Sequence, residues 1–318
     1  MLKILLIKTS SMGDVLHNLP VATDICHHVA EVRIDWVVEE NLSLLPSLHP
    51  KVSQIFPVAL RRWRKTWWRS RAEIRDACRS LGEHPHDLAL DTQGLLKSAL
   101  LSRCSHATSH GFDWNSAREP LASLFYARTY CVEKKLHAVE RNRRLAGLAL
   151  GYEPQGAPDY GIRAPDLVLP WLPGEPYVVL LHATSRDDKL WDESNWMELG
   201  MHLAGTGLRA VLPWGNDQER SRGARLCAAI PGAVLAPRIN LQEAAVMLGN
   251  ARAAVGVDTG LSHLAAALGI PTVGIYTATD PGLTGLYASD RAINLGGKNS
   301  PPPVAAVWAA LEQATRHA

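Results

Sequence analysis

The stretch AAVGVDTGLSHLAAALGIPTVGIY at residues 253–276 leaves a chain few ways to fold. Its first five residues are a short apolar run of the kind buried on both faces of a parallel sheet. From Thr259 the apolar residues Leu261, Leu264, Ala265 and Leu268 recur at helical spacing, Gly269 stands where a helix C-terminal glycine belongs, and residues 271–276 read as a second strand. The result is a β-α-β unit whose strand-to-helix turn carries Asp258, Thr259, Gly260 and His263. In an open α/β sheet such turns lie at the carboxyl ends of the strands, where ligands bind, and the free amides of a helix start suit a phosphate. Gly260 lets an anion approach the backbone, and Thr259 can add a hydroxyl donor. The plainer alternative is that Asp258 and Thr259 only cap the helix.

The same alternation runs through the chain. Residues 2–8 form an expected first strand, followed by a small polar turn, Ser11-Met12-Gly13-Asp14, and a helical pattern through Val15, Leu16, Leu19 and Ile25. The turn lacks the G-x-G-x-x-G of dinucleotide-binding units, and no P-loop motif occurs anywhere. Asp14 stands in the first helical turn, where the helix dipole favours an ionised carboxylate. Strands are expected at 33–38, 54–58 and 87–91, and weaker helical segments at 94–103, 117–127 and 138–150. The richest Pro/Gly stretch, 153–176, marks a domain boundary. Beyond it come strands at 177–182, 209–213 and 233–235 and helices at about 194–204, 217–229 and 241–249. The expectation is an α/β protein of two Rossmann-like domains, 1–163 and 164–318, each a parallel helix-flanked sheet. The closing helix, about 304–315, can cross back onto the first domain.

Hydrophobic content of 47% with 20% charged residues describes a soluble globular chain, and no window of about 18 apolar residues offers a membrane span or signal peptide, so a cytoplasmic location is expected. Five scattered cysteines without C-x-x-C read as reduced thiols, and His84, His86, His106 and His110 as surface histidines, not metal ligands. A net charge of +2 hides an asymmetry: residues 1–165 carry 22 Lys and Arg against 17 Asp and Glu, whereas 166–318 carry 11 against 14. The first half should therefore meet something anionic. Its densest basic segment, Arg61-Arg62-Trp63-Arg64-Lys65-Thr66-Trp67-Trp68-Arg69-Ser70-Arg71, mixes phosphate-binding arginines with tryptophans suited to a membrane interface, although helical spacing makes some of these aromatics core.

Three loops of the second half, set beside Ser11-Met12-Gly13-Asp14, carry a family resemblance. They are His182-Ala183-Thr184-Ser185-Arg186-Asp187-Asp188-Lys189-Leu190-Trp191, Trp214-Gly215-Asn216-Asp217-Gln218-Glu219 and Asp258-Thr259-Gly260-Leu261-Ser262-His263. Together they resemble the donor-site motifs of the lipopolysaccharide heptosyltransferases, glycosyltransferase family nine, whose GT-B fold sets two Rossmann-like domains facing across a cleft. The D-T-G-L-S-H run and the R-D-D-K loop fit the heptosyltransferase I branch better than the heptosyltransferase II branch.

The resemblance implies inverting transfer of L-glycero-D-manno-heptose from ADP-L-glycero-β-D-manno-heptose to the first Kdo of Kdo2-lipid A, with no separate cofactor and no metal. It implies Asp14 as the base that deprotonates the acceptor hydroxyl. Thr184, Ser185, Lys189 and the amides at Thr259 and Gly260 would meet the charge growing on the departing diphosphate. By the same likeness Glu219 would hold the ribose, Ile239 would pack near adenine, and Asp258 and His263 would contact heptose or pyrophosphate. Arg61, Arg62, Arg64, Lys65, Lys97, Arg118, His137 and Arg141 would receive Kdo carboxylates and lipid A phosphates, placing the protein peripherally on the cytoplasmic face of the anionic inner membrane, with no nucleic-acid partner and a monomer sufficing. Two alternatives stay open: heptosyltransferase II-type transfer to an already heptosylated acceptor, and a non-catalytic, nucleotide-regulated protein that binds anionic membranes.

Overall fold

A computed structural model describes residues 1–316 and divides the chain into two units that meet at Gly161 and Ile162. The sequence boundary at 163/164 falls two residues later.

The first unit runs β1 (Leu2–Ile7), α1 (Met12–Leu16), α2 (Leu19–His28), β2 (Val32–Glu39), α3 (Leu44–Ser47), β3 (Val52–Val58), α4 (Leu60–Lys65), α5 (Arg71–Glu83), β4 (Leu88–Asp91), α6 (Leu96–Cys104), β5 (Thr108–Phe112), β6 (Arg128–Tyr130) and α7 (Ala138–Leu150). Its six strands pair in the order β3-β2-β1-β4-β5-β6, all parallel. Continuous apolar strands are what a sheet covered on both faces requires, and Ile4 to Ile7 are fully buried. One face packs Leu5, Ile7, Val37 and Phe56 against Trp63 of α4, Leu81 of α5 and Leu101 of α6. Trp63 is thus core, while Trp67 and Trp68 are exposed.

The helix expected at 117–127 is instead a 3₁₀ turn, Pro120–Phe125, that leads into β6. Strands β5 and β6 had no expectation in the sequence; Thr108–Phe112 and Arg128–Tyr130 lack a run of branched apolar residues, and pairing with β4 decides their state. A second correction concerns the cysteines, all five of which were expected reduced. Neighbouring helices α5 and α6 bring Cys78 and Cys104 together, Cα atoms 4.9 Å apart, as a disulfide. His86, expected at the surface, is buried and bonds Asp35 through Nε2 at 3.0 Å. His110 is also buried, against the Tyr130 hydroxyl at 2.9 Å.

The second unit runs β7 (Tyr177–Leu181), α8 (Glu193–Gly205), β8 (Arg209–Leu212), α9 (Asp217–Ala229), β9 (Val234–Leu235), α10 (Leu241–Gly249), β10 (Ala253–Val257), α11 (Gly260–Ala267), β11 (Thr272–Tyr276), α12 (Pro281–Thr284), β12 (Ala292–Gly296) and α13 (Val304–Thr315). Its order, β12-β11-β10-β7-β8-β9, repeats that of the first unit, again all parallel. Gly256 of β10 admits no larger residue, because a Cβ there would collide with Ser262 Oγ, which bonds the Val257 carbonyl at 2.8 Å and draws α11 onto the strand. Val304, Val307, Ala310 and Leu311 of α13 join the core of the second unit beside β11, β12 and α8.

Arg143 of α7 ties the first unit together. Its guanidinium grips both carboxylate oxygens of Asp24 on α2, at 2.7 and 3.1 Å, and donates to the carbonyls of Gln155 and Gly156, with only 2% of the side chain exposed. Arginine 143 is therefore structural. Removing one member of such a pair leaves the other charge buried alone, so Arg143→Ala should cost about 3–5 kcal/mol in chemical denaturation. A loss below about 1 kcal/mol, the range of an exposed pair, would contradict this account.

Candidate functional site

In each sheet the winding reverses once, between β1 and β4 in the first unit and between β7 and β10 in the second. Strands at such a reversal send their following loops to opposite sides, leaving the carboxyl ends of the middle pair open to a ligand.

At the β7/β10 reversal the polar loops converge on Asp258. Lys189 Nζ donates to its Oδ2 at 2.6 Å, Thr279 Oγ1 to the same oxygen at 2.7 Å, and His263 Nε2 lies 3.8 Å from Oδ1. Thr184 Oγ1 donates to the Asp258 carbonyl at 3.0 Å, which fixes the 182–190 loop against β10. Burial alone would raise the Asp258 pKa. The bonds from His263, Lys189 and Thr279, with the Lys189 charge, reverse that and hold the carboxyl well below the usual carboxylate range. Lys189 has three donors and this contact uses one. Thr259 is the N-cap of α11, and its side chain makes no capping bond. The Gly260 and Leu261 amides precede the helical bonds, which begin where the Ser262 and His263 amides donate to the Thr259 carbonyl, and amides at such a helix start suit an anionic acceptor. Asp258 is thus no cap: it organises a cation and two hydroxyls next to a helix start.

The other donor-side candidates are placed by their own helix starts. Glu219 accepts from the Gly215 amide at 2.7 Å through Oε2 and from Asn216 Nδ2 at 2.8 Å through Oε1, while Asn216 Oδ1 caps the Glu219 amide. Its carboxylate therefore closes the turn before α9. Ile239 directly precedes Asn240, whose capping box with Glu243 opens α10. Ser185 lies in the same loop as Lys189, and Arg186 there pairs with Asp188, Nε to Oδ1 at 3.0 Å. Among the described residues no group of three or more His, Cys, Asp or Glu is placed to hold a metal ion.

At the β1/β4 reversal Asp14 closes the first turn of α1, its Oδ2 accepting from the Ser11 amide at 2.8 Å and the Ser11 hydroxyl at 2.9 Å. It is partly exposed. Lys8, which the sequence reading passed over, follows β1 and is buried, Nζ donating to the Thr92 carbonyl at 2.7 Å and Asn142 Oδ1 at 3.4 Å. Burial pulls its pKa down to about 8 against the opposing charges of Asp14 and Asp91, and Arg141 and Arg118 pull the same way as burial. These five charged groups therefore share one corner. Asp91 is buried as the last residue of β4, accepting from the Gln93 amide at 2.8 Å and Tyr126 hydroxyl at 2.7 Å, and burial raises its pKa. The signal that could have found Lys8 is a lysine at the end of an otherwise buried strand.

The expected acceptor residues separate. Arg118 and Arg141 join the Lys8 corner, though Arg141 also donates to the Ser116 carbonyl at 2.6 Å and lies over the Phe112 ring, 4.8 Å away. Lys97 stands at the start of α6. His137 is buried as the N-cap of α7, its Nδ1 accepting from the Val139 amide at 3.2 Å. Arg61, Arg62, Arg64 and Lys65 lie on α4, beyond the edge strand β3. Arg62 is bidentate to Glu73, at 2.6 and 2.7 Å, and reaches Glu40 at 3.3 Å.

A family model, glycosyltransferase family 9 (heptosyltransferase), matches residues 74–306. The chain belongs to that family. It is 46% identical to lipopolysaccharide heptosyltransferase 1 of Salmonella typhimurium over 91% of this chain and 93% of that one, and 46% identical to the Pseudomonas aeruginosa protein of the same name over 93% and 84%. A solved structure described as E. coli heptosyltransferase WaaC with ADP superposes with a TM-score of 0.90 at 42% identity, covering 98% of this chain and all of that one. The GT-B assignment rests on that match, and the more distant E. coli heptosyltransferase II, at 21% identity and a TM-score of 0.80, shares the fold. This family 9 glycosyltransferase thus keeps its relatives' architecture through both units.

The Asp258 cluster has a pH signature. A carboxyl whose folded pKa is depressed stabilises the fold above the unfolded value, near 4, and loses that contribution as pH falls below it. The stability difference between the native chain and Asp258→Asn should stay level from neutral pH down to about pH 4 and shrink on further acidification. A difference that stayed constant down to pH 2 would reject the ionised cluster.

Proposed function

We propose that the chain transfers L-glycero-D-manno-heptose from its ADP derivative to the first Kdo sugar of Kdo2-lipid A, inverting the anomeric carbon. The Lys189–Asp258–Thr279 cluster beside the first amides of α11 carries this reading. Close likeness to proteins named lipopolysaccharide heptosyltransferase 1, and to structures described as holding ADP and ADP-2-deoxy-2-fluoro heptose, supports it.

As the bond from sugar to β-phosphate breaks, negative charge gathers on the phosphate oxygens. Lys189, the hydroxyls of Thr184 and Ser185 and the amides at Thr259 and Gly260 answer it with donors already held in place, which lowers the barrier more than donors that must first turn. Asp258 keeps Lys189 protonated and aimed, and with His263 it meets heptose hydroxyls or pyrophosphate. Glu219 accepts from the ribose hydroxyls, and Ile239 packs against adenine. In the first unit Asp14 takes the proton of the attacking Kdo hydroxyl, as inversion requires of a base opposite the leaving group. Lys97, Arg118, His137 and Arg141 serve the Kdo carboxylates, and the α4 cations Arg61, Arg62, Arg64 and Lys65 the lipid A phosphates. The ion pairs of Arg62 and the cap of His137 exchange partners for this, or these two act by shaping their neighbours. This scheme of a cation, hydroxyls and backbone amides needs no metal. The setting is the cytoplasmic face of the inner membrane, where no helix among the described residues is long and apolar enough to cross.

Product analysis after incubation with ADP-heptose and Kdo2-lipid A, beside heptosyl-Kdo2-lipid A, decides the reaction and the acceptor. A heptosylated product from Kdo2-lipid A alone is expected, and ADP binding without sugar transfer would reject the enzyme reading. Asp14→Ala should lower kcat by about 10²–10⁴-fold while ADP affinity stays within about twofold. Near-normal turnover would remove Asp14 as the base. Lys189→Ala should weaken ADP binding by about tenfold and slow the reaction further, the mark of a group that binds both ground state and transition state.

A further inference from the structure

Between β5 and β6 the chain makes two turns of 3₁₀ helix over Pro120–Phe125. At three residues per turn, side chains at i and i+3 eclipse, so the six residues sort onto three sides. Ala122 and Phe125 make one side and pack with Ala99 and Tyr126 against α6. Pro120 and Ser123 make the second, where Ser123 Oγ donates to the Pro120 carbonyl at 2.8 Å. Leu121 and Leu124 make the third, 54% and 70% exposed. Isolated exposed leucines are ordinary, but two aligned on one rigid outward ridge are a surface waiting for cover.

The charges around the ridge say what kind of cover. Between Asp91 and Glu133 the chain carries Lys97, Arg103, Arg118 and Arg128, against only two acids, Asp113 and Glu119. Glu119 is engaged, its Oε2 accepting from the Leu96 amide at 2.7 Å, a bond that also fastens the ridge to the start of α6 beside Lys97. An exposed apolar ridge on a stretch of chain with more cations than acids matches a lipid bilayer with anionic headgroups: hydrocarbon for the leucines, phosphates for the cations. In the tryptophan segment that the sequence points to, the rings are exposed as well but are already stacked. Trp67 and Trp68 stack on each other with centroids 3.7 Å apart, and the Arg71 guanidinium lies over both rings, 5.0 and 4.2 Å from their centroids.

We infer that Leu121 and Leu124 form a wedge that enters the boundary of an anionic bilayer, with Arg103 and Arg128, the cations of this stretch not assigned to the acceptor sugar, against its headgroups. This deepens the proposed function, on which it rests for its setting, by naming the surface through which the chain meets the membrane that holds its acceptor. A helix able to span is not needed for this mode, since partial burial of two leucines adds to the attraction of these cations.

The test is flotation of the full chain and of Leu121→Ser/Leu124→Ser with vesicles of phosphatidylethanolamine and phosphatidylglycerol, and with vesicles of phosphatidylcholine alone. The native chain should bind the anionic vesicles, release from them in high salt, and bind phosphatidylcholine poorly. The double variant should lose about tenfold or more in partition onto anionic vesicles, while heptosyl transfer to a de-acylated, water-soluble Kdo acceptor stays unchanged. Equal flotation of a variant whose thermal transition matches the native one would overturn the wedge. So would a native dimer, seen by sedimentation, that the two serines dissolve without altering vesicle binding. Leu124→Trp supplies a second measurement that keeps an apolar residue in place: its added fluorescence should be quenched by acyl-brominated lipids, and absence of that extra quenching counts equally against the wedge. Loss of transfer in both proteins would sink the proposed reaction, with the vesicle result still deciding the ridge.

Discussion

A parallel sheet covered on both faces can place polar chemistry only where its strands run out. In both units of this chain the central strands are mainly apolar and buried, and the winding reverses between β1 and β4 and between β7 and β10. Everything chemically active follows from those reversals. Lys8 and Asp14 lie past the end of β1, Asp91 is the last residue of β4, and Thr184, Lys189 and Asp258 lie past the ends of the second pair. The fold therefore chooses the positions, and the loops choose the chemistry.

The two ends handle charge in opposite ways. In the second unit burial pushes the Asp258 carboxyl towards neutrality, yet His263, Lys189 and Thr279 together outweigh it, so the carboxylate stays ionised and its partners stay oriented. In the first unit burial dominates at Lys8, whose bonds go to a carbonyl and an amide oxygen and not to a carboxylate. Asp258 is satisfied through direct contacts and is rigid. Lys8 is held by neutral acceptors and influenced by charges that do not touch it. A group held that way responds to what arrives beside it.

How much of this was legible in the residues depends on the range of the interaction that decides each element. The 253–276 unit could be read because its strands, helix and turn are all encoded within 24 residues, and helices 217–229, 241–249 and 304–315 fall where their spacing places them. Strands β5, β6 and β12 were not legible, since Thr108–Phe112, Arg128–Tyr130 and Ala292–Gly296 owe their state to neighbours far along the chain. The same holds within the sites. Asp258 and Lys189 stand in loops with recognisable motifs, but their 2.6 Å contact joins residues 69 apart, and Thr279 joins them from a loop no motif marked. His137 was expected at the acceptor and is found capping α7, and Arg143, one of the basic residues of the first half, is locked to Asp24, because burial, invisible in a count of charges, assigns each its partner.

That sorting changes what the basic excess of the first half means. An arginine that already holds a carboxylate adds little field beyond its own pair, so Arg143 with Asp24, and Arg62 with Glu73 and Glu40, largely drop out of the attraction towards an anion. Among what remains, Arg118 and Arg141 lie around Lys8 at the strand ends, Lys97, Arg103 and Arg128 stand on the elements before and after the 3₁₀ ridge, and Arg61, Arg64 and Lys65 stay on α4. The Lys8 corner has Asp14 and Asp91 to hold its potential in check, with Asp91 driven towards neutrality by its own burial. Under the proposed function, an acceptor bearing a carboxylate would meet Arg118 and Arg141 at this corner, and Asp14, its one partly exposed carboxylate, would be left to act on a hydroxyl proton.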